Sequence, residues 1–213
     1  KTHVKCYQMI RLAISKGRIL EQAVDILRNN NITCEFNPLD SRKLIIPTSM
    51  NNLEIIVIKA SDVPVYIDSG KVDIGIVGID TLIEDNNPNH YRLLDLQIAR
   101  CKLVVAGKPN TKYFNNMKIA TKYPNTAKKY FEEIGLQCSI LKLYGSIELA
   151  PVRSLSDFIV DIVESGKTLK ENGLKEFDKI LDISSLLIAN KVSYKIKREE
   201  INSFIDRVKT HDK

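Results

Sequence analysis

The segment from Ile159 to Thr168 carries the residues best suited to binding a phosphate. Its letters, IVDIVESGKT, describe a hydrophobic strand with acidic residues that runs into a Ser-Gly-x-Thr turn and then a helix. Loop N–H groups, the Thr168 hydroxyl and the positive end of the helix favour an anion, and Gly166 lets the backbone fold closely around it. The acidic residues upstream suit sugar hydroxyls, directly or through Mg²⁺. The spacing is not that of a Walker loop, and an ordinary capped strand–turn–helix junction is the alternative interpretation.

Two basic segments are suited to an oligophosphate. Ser15-Lys16-Gly17-Arg18 follows the first hydrophobic stretch directly, at the start of a predicted helix. Ser41-Arg42-Lys43 stands just before a predicted strand and offers two more cations. Guanidinium groups bind phosphate oxygens in pairs, and lysine adds a point charge. Taken singly, each segment is also compatible with a solvated helix terminus or a charged turn.

A glycine-containing turn, Gly75-Ile76-Val77-Gly78-Ile79-Asp80, lacks the GxGxxG spacing of a dinucleotide site. We interpret it as a tight strand–helix turn with Asp80 as the helix cap. The cysteines and histidines are too scattered for a metal site, which predicts reduced thiols; they are Cys6, Cys34, Cys101, Cys138, His3, His90 and His211.

The composition indicates a globular protein with an anionic partner. The chain has 213 residues, 44% of them hydrophobic, and a formal net charge of +6. The basic residues form no long run, so an anionic small molecule fits the charge as well as nucleic acid does. No apolar stretch is long enough to span a membrane, and the first residues lack a signal peptide. The sequence therefore predicts a soluble, cytoplasmic protein that binds neither membrane nor nucleic acid.

Hydrophobic periodicity predicts alternating strands and helices, and hence an α/β fold with mainly parallel sheets. The predicted strands are 10–14, 44–46, 55–58, 74–77, 102–106, 118–120, 139–143, 158–163 and 188–194. The predicted helices are 18–27, one starting at 61–64, 80–84, 126–134, 168–173 and 199–208. Ser61 or Asp62 should stand near the cap of the second helix, with Pro64 in its first turn. The polar segment 85–89 is predicted to be a loop close to a lobe boundary.

Several segments, taken in order, are similar to the short form of ATP phosphoribosyltransferase. The resemblance runs from about Ile10 to about Tyr194, which is most of the chain, and many segments in one order are far more specific than any single motif. They are SKGRIL from Ser15, SRKL from Ser41, ASDVP from Ala60, GID from Gly78, IATKY from Ile119, LYGSIELAP from Leu143 and the loop 161–169. The sequence departs from the family at Ser154, where a glycine is usual, at Arg153, which is unusual, and at Lys59, where arginine is common. A small residue is common near Ser156 in the family.

The resemblance implies a fold of two α/β lobes of the type II periplasmic-binding-protein kind, with an active-site cleft between them. The first lobe would comprise residues 1–95 plus 180–213. The second lobe, residues 96–179, would carry the phosphate loop.

The resemblance also implies a reaction: N1 of ATP attacks C1 of phosphoribosyl pyrophosphate and expels pyrophosphate, the first step of histidine biosynthesis. Arg18, Arg42 and Lys43 would be catalytic. Phosphoribosyl pyrophosphate would be bound by Glu148, Asp161, Glu164, Ser165, Gly166, Lys167 and Thr168. Lys16, Arg18 and Asp80 would bind ATP, and Mg²⁺ would be the cofactor, with no firm protein ligands. The short form implies a homodimer within a hetero-oligomer that includes a regulatory subunit similar to histidyl-tRNA synthetase.

Three other functions are compatible with parts of this pattern. A solute-binding protein would share the fold, because fold does not fix function. Another phosphoribosyltransferase would differ in its acceptor base, and product identity would distinguish the two. A nucleic-acid-binding protein would shift random DNA in a salt-dependent manner.

Overall fold

The computed structural model describes residues 8–87 and 89–209, and its internal contacts divide the chain into two compact units. The first unit contains the described residues of Lys1–Ala99 and Ser184–Lys213, and the second is Arg100–Ile183. The boundaries predicted from the sequence, 95/96 and 179/180, fall a few residues before these. Three residues discussed above, His3, Cys6 and His211, lie outside the described part of the chain, as does Pro88 of the segment 85–89.

The first unit is built on a six-stranded sheet in the order β2-β3-β1-β4-β11-β5. Its strands are β1 Ile10–Ser15, β2 Ile45–Pro47, β3 Leu53–Ile58, β4 Ile74–Gly78, β5 His90–Asp95 and β11 Ser185–Asn190. The central strands β3, β1 and β4 run parallel to one another, whereas β2, β11 and β5 pair antiparallel with their neighbours. Every residue of β4 and β11 is buried, as expected for strands that are covered on both faces.

Helices cover both faces of this sheet. They are α1 Arg18–Asn29, α2 Val63–Asp68, α3 Ile79–Asp85, α7 Lys191–Ile196 and α8 Arg198–Val208, and a 3₁₀ turn, Ala60–Asp62, precedes α2. The apolar stripe of α1 packs with that of α8 on one face, where Leu27 and Phe204 are fully buried. Val63 and Ile67 of α2 pack on the other face.

The second unit is built on a five-stranded sheet in the order β10-β6-β9-β7-β8. Its strands are β6 Cys101–Gly107, β7 Met117–Thr121, β8 Cys138–Lys142, β9 Phe158–Val163 and β10 Lys175–Ile183, and its helices are α4 Pro124–Glu133, α5 Leu149–Val152 and α6 Lys167–Glu171. Strands β9, β7 and β8 are parallel, whereas β6 pairs antiparallel with both β9 and β10. A cluster of aromatic rings packs beside β9, with Tyr113 and Phe158 at a centroid distance of 5.0 Å.

The structure confirms the two-lobed α/β fold class but corrects the expectation of mainly parallel sheets. Both sheets are mixed, because the chain returns to the first unit as β11 and the second unit is closed by the antiparallel pair β6 and β10. Segment 85–89 joins α3 to β5 within the first unit, so it does not lie at the boundary between the units.

One local prediction is also wrong, and another is confirmed. The predicted strand 188–194 ends at Asn190, whose side chain accepts hydrogen bonds from the N–H groups of Val192 and Ser193 and so starts α7. At the start of α2, Asp62 is the N-cap residue, as predicted, although its side chain makes no capping bond and accepts a hydrogen bond from the Ser61 hydroxyl. Pro64 does stand in the first turn of that helix. Within the described residues, no helix is both long and apolar enough to cross a membrane.

Candidate active site

The parallel strands of the first unit bring three segments to one edge of the sheet. Ser15, the last residue of β1, lies opposite Ile58, the last residue of β3, and β4 runs parallel to β1 on its other side. The turns that follow these strands therefore share the carboxyl edge, which is where open α/β sheets bind ligands. These turns contain Lys16 to Arg18, Lys59 to Asp62, and Ile79 with Asp80.

The antiparallel strand β2 adds the second basic segment to the same edge. Ile45 lies opposite Ile56, and the Val57 N–H donates to the Leu44 carbonyl at 2.9 Å. Because β2 runs against β3, its first residues stand where β3 ends, and Arg42 and Lys43 come directly before it. The structure thus places the five predicted residues of this unit, Lys16, Arg18, Arg42, Lys43 and Asp80, at one sheet edge.

The Arg18 side chain is hydrogen-bonded to the backbone of Ala99, four residues after the end of β5. Gly17 adopts a φ of 90°, and α1 begins at the next residue. The Arg18 Nη2 atom donates to the Ala99 carbonyl at 2.8 Å, while the Ala99 N–H donates to Gln22 Oε1 at 2.6 Å. Both bonds come from the same face of α1, so they fix the Arg18 guanidinium relative to Ala99, where the chain leaves the first unit. The sequence gives no signal for this contact, because it spans most of the unit.

Arg42 and Lys43 are exposed cations at the start of β2. The Lys43 ammonium lies 3.7 Å from the centroid of the Phe36 ring, a cation–π geometry that limits where the ammonium can move. The Lys43 N–H donates to the Ser41 hydroxyl at 3.0 Å, which shapes the turn. The segment is therefore an ordered turn that carries two cations.

Asp80 is a buried carboxylate that does not act as the predicted cap. The residue is only 9% exposed, and it stands two positions after Gly78, which is the N-cap residue of α3. A Cβ atom placed on Gly78 would overlap Asp80 Oδ1. A larger residue at position 78 would therefore have to displace the Asp80 carboxylate.

In the second unit, the three parallel strands again present their carboxyl ends together. The turns after β7, β8 and β9 contain Lys122 and Tyr123, Leu143 to Glu148, and Glu164 to Thr168. The buried Thr121 hydroxyl donates to the Val160 carbonyl at 2.6 Å and accepts from the Tyr123 N–H at 2.9 Å. This residue joins the end of β7 to β9, a role that sequence reasoning missed.

The predicted phosphate loop is an exposed turn with a left-handed glycine. Gly166 has a φ of 74° and is the N-cap residue of α6. Ser165, Lys167 and Thr168 are exposed to solvent, as is Glu164. The Lys167 ammonium lies 3.8 Å from Glu171 on the same helix. The Lys167 N–H donates to the Ser165 hydroxyl at 3.4 Å, a bond that the alternative interpretation, an ordinary strand–turn–helix junction, also expects.

Asp161 is a partly buried carboxyl group on β9, just before this loop. Burial raises its pKa to about 6, the hydrogen bond from the Ile162 N–H and the charge of Lys122 oppose the shift, and the charge of Glu148 adds to it. The bond from the Ile162 N–H is 2.8 Å long. Asp161 and Glu148 therefore interact as like charges beside the loop, although they come from different elements. Lys122 is a cation at the same place to which sequence reasoning assigned no role.

No protein ligand set for a metal is evident in the described residues. The structure contains no group there of three or more His, Cys, Asp or Glu side chains that could hold a metal ion. The described cysteines form no disulfide.

Known proteins resemble this chain over nearly its whole length. The sequence model of the family described as HisG, ATP phosphoribosyltransferase, matches residues 59–210. The ATP phosphoribosyltransferase of Ruthia magnifica subsp. Calyptogena magnifica is 45% identical over 201 residues, which cover 94% of this chain and 98% of that protein. The ATP phosphoribosyltransferase of Alkaliphilus metalliredigens is 47% identical over 204 residues, covering 94% of this chain and 96% of that protein.

Two solved structures share the fold. The ATP phosphoribosyl transferase (HisG:HisZ) complex from Thermotoga maritima matches with a TM-score of 0.82 and 35% identity, over 94% of this chain and 96% of that chain. The periplasmic aliphatic sulphonate binding protein SsuA from Escherichia coli matches with a TM-score of 0.59 and 12% identity, over 94% of this chain and 67% of that chain. The second likeness concerns the fold alone.

Proposed function

The chain belongs to the ATP phosphoribosyltransferase family, and from that premise we propose that the side chains at the carboxyl edges of its two sheets carry out the family's reaction. The chain transfers a phosphoribosyl group from phosphoribosyl pyrophosphate to ATP in the first step of histidine biosynthesis. The observation that supports the residue assignment best is the turn Glu164–Thr168, which stands beside the paired carboxyl groups of Asp161 and Glu148.

The chemistry determines which residues are needed. A bond forms between N1 of adenine and C1 of the ribose, while the bond from C1 to the pyrophosphate oxygen breaks. Adenine N1 already has a lone pair at neutral pH, so no strong base has to remove a proton before attack. The demanding event is the departure of pyrophosphate as positive charge grows at C1. Fixed positive charge aimed at the leaving group is the appropriate means of stabilisation.

In the second unit, we assign binding of the 5′-phosphate to the turn Glu164–Thr168. The left-handed Gly166 supports this role, because it lets the backbone fold closely around an anion at the start of α6. Thr168 adds a hydroxyl and Lys167 adds charge. Asp161, which stands on β9 just before this turn, would bind the ribose hydroxyls together with Glu148.

In the first unit, we assign the phosphate groups of the reactants to the cationic edge. Arg18 and Arg42 would stabilise the developing charge of pyrophosphate, with Lys43 beside them, and Lys16 and Arg18 would bind the phosphates of ATP. The bond from Arg18 to the Ala99 carbonyl supports this role, since a guanidinium that is already positioned loses little freedom on binding. Asp80 would bind ATP at the same edge.

The residues fit a magnesium ion that arrives with the diphosphate. Magnesium is commonly bound by one or two carboxylates together with substrate phosphates, and Asp161 with Glu148 provides such a pair. When bound, Mg²⁺ neutralises charge on the departing pyrophosphate.

We also propose that the chain works as a homodimer with a separate regulatory subunit similar to histidyl-tRNA synthetase. The likeness to the catalytic chain of the Thermotoga maritima HisG:HisZ complex over 94% of this chain supports this partner. Because the acceptor is ATP, we place the reaction in the cytoplasm.

Substitution of Thr168 tests the phosphate assignment. Thr168→Ala should raise the KM for phosphoribosyl pyrophosphate about 10–100-fold, the effect of losing a hydrogen bond to a charged group. The KM for ATP should change little, and Thr168→Ser, which keeps the hydroxyl, should restore most of the affinity. An unchanged KM for phosphoribosyl pyrophosphate in Thr168→Ala, measured by steady-state pyrophosphate release, would remove Thr168 from the site.

A further inference from the structure

A basic groove lies on the first unit, at the edge of its sheet formed by β5. Its volume is about 460 Å³, and it is lined by Tyr91, Arg92, Leu93, Tyr194, Lys195 and Arg198. These residues come from β5, α7 and the first position of α8. In the strand order, β5 stands at the end opposite to β2 and the catalytic Arg42. None of the residues assigned to the reaction lines this groove.

Three exposed cations line the groove. Arg92, Lys195 and Arg198 are exposed, and none of them forms an ion pair with a carboxylate in the described part of the chain. No Asp or Glu lines the groove. Like charges held in one concavity repel one another and concentrate a positive potential there. Such an arrangement is stabilised when an anionic group occupies it.

Two tyrosines give the groove an ordered apolar base. The rings of Tyr91 and Tyr194 meet edge to face, with centroids 5.6 Å apart. The Tyr194 hydroxyl donates to Asn202 Oδ1 at 3.1 Å, and the Lys191 ammonium lies 5.8 Å from the centroid of the Tyr91 ring. Tyrosine and arginine are the residue types over-represented at protein–protein hot spots, since both combine large contact area with polar groups.

The surroundings of the groove favour a protein partner. Strand β5 pairs with β11 on one side and with no other strand of the described chain. On α7, Val192 and Ile196 are 63% and 61% exposed, one helical turn apart. Two exposed apolar side chains thus lie beside the cations, a combination of apolar and charged groups that is common in protein interfaces. A second copy of this chain is a poor occupant, because a net charge of +6 on each copy opposes contact through a basic surface.

We propose that this groove is the docking surface for an acidic segment of the regulatory subunit. The inference rests on the proposed regulatory partner, but it assigns that partner a surface away from the catalytic residues. Carboxylates of the partner pair with Arg92, Lys195 and Arg198, and its apolar side chains contact Tyr91 and the exposed face of α7. The interaction is strongest at low ionic strength, because exposed ion pairs are screened by salt.

Charge reversal in the groove tests this assignment. The double variant Arg92→Glu/Arg198→Glu is compared with wild type and with Lys128→Glu/Lys129→Glu, which makes the same charge change on the exposed face of α4 in the other unit. The Kd for the histidyl-tRNA-synthetase-like subunit is measured by isothermal titration calorimetry at two salt concentrations. The groove variant should bind at least about 100-fold more weakly, as is typical when interfacial charge pairs are broken, and the control variant should bind like wild type.

Pyrophosphate release by the isolated catalytic chain is measured in parallel. Wild-type activity in a groove variant that no longer binds the partner supports the proposal, whereas wild-type affinity in that variant overturns it. Wild-type protein that is active but does not bind the subunit also overturns it, without affecting the proposed reaction. If the groove variant binds the subunit like wild type but no longer binds random DNA, the groove is a nucleic-acid site instead. The milder pair Arg92→Ala/Arg198→Ala, expected to weaken binding about tenfold, gives the same test if charge reversal disturbs folding.

Discussion

Replacing Asp161 with asparagine should stabilise the protein while it impairs the reaction. Asp161 is a partly buried carboxyl group whose pKa is raised from 3.8 to about 6, chiefly by burial. Asparagine has nearly the same shape, carries no charge, and retains an oxygen that can accept the hydrogen bond from the Ile162 N–H. The substitution therefore removes the cost of a buried charge and leaves the local bond in place.

The magnitude follows from the shift in pKa. Because the pKa is higher in the folded state, the carboxyl group contributes stability below its unfolded pKa of 3.8, and that contribution is lost as the pH rises through about 6. A shift of about two units corresponds to about 3 kcal/mol at most. Asp161→Asn should thus raise the free energy of unfolding by about 2–3 kcal/mol near pH 8 and by about half as much near pH 5.

Urea unfolding followed by far-UV circular dichroism measures this effect, since the chain has no tryptophan. EDTA is included so that no divalent ion offsets the charge. Glu171→Gln, which neutralises an exposed carboxylate on α6, is the control and should change stability by less than about 0.5 kcal/mol. A stability gain that does not depend on pH, or a loss at pH 8, would refute the reasoning about Asp161. In the same variant, kcat/KM for phosphoribosyl pyrophosphate should fall, because asparagine cannot replace a carboxylate toward the ribose or Mg²⁺.

Four further substitutions test the roles of other residues. Arg18→Ala and Arg42→Ala should each lower kcat about 10²–10³-fold with an unchanged circular dichroism spectrum, and wild-type rates in both would contradict their assignment. Ser154→Gly should raise the free energy of unfolding by up to about 1 kcal/mol in urea titrations, because Ser154 has a left-handed φ of 59°, and a loss of stability would show that its side chain is needed. Gly78→Ala should displace the Asp80 carboxylate, lower stability by about 1–3 kcal/mol and raise the KM for ATP; unchanged kinetics would separate Asp80 from the ATP site.

Much of the fold was predictable where the signal is local. The hydrophobic runs 10–14, 74–77 and 158–163 correspond to β1, β4 and β9, which are buried central strands. The periodic segment 18–27 forms α1. Each of these elements buries at least one whole face, so the positions of its apolar residues match those expected of a strand or a helix.

The rest depends on contacts distant in sequence. Strand β10 was missed because two irregularities in its pairing with β6, between Glu176 and Asp178 and between Lys179 and Leu181, shift the alternation of apolar residues. The segment after Ile188 has the alternation of a strand, yet the Asn190 side chain caps a helix there. The asparagine was an available signal that hydrophobic alternation concealed. Antiparallel pairing of the returning strands leaves no local signal, which explains the expectation of mainly parallel sheets.

The same distinction applies to the candidate site. The predicted site residues follow or precede strands that lie side by side, and the parallel order of those strands brings them to common edges. Two hydrogen bonds, from Arg18 to the Ala99 carbonyl and from Thr121 to the Val160 carbonyl, join segments that are remote in sequence. No local motif therefore predicts them. The left-handed Ser154 stands where the family usually has glycine, so this position could be identified from the resemblance but its conformation could not.

The most direct test of the account is pyrophosphate release by the purified chain with ATP, phosphoribosyl pyrophosphate and Mg²⁺, omitting each in turn and identifying the product. The account predicts release that requires all three and a product in which the ribose is attached to N1 of ATP. Release without ATP, or attachment to another base, would contradict it. So would the absence of release from folded protein in the presence of its regulatory subunit.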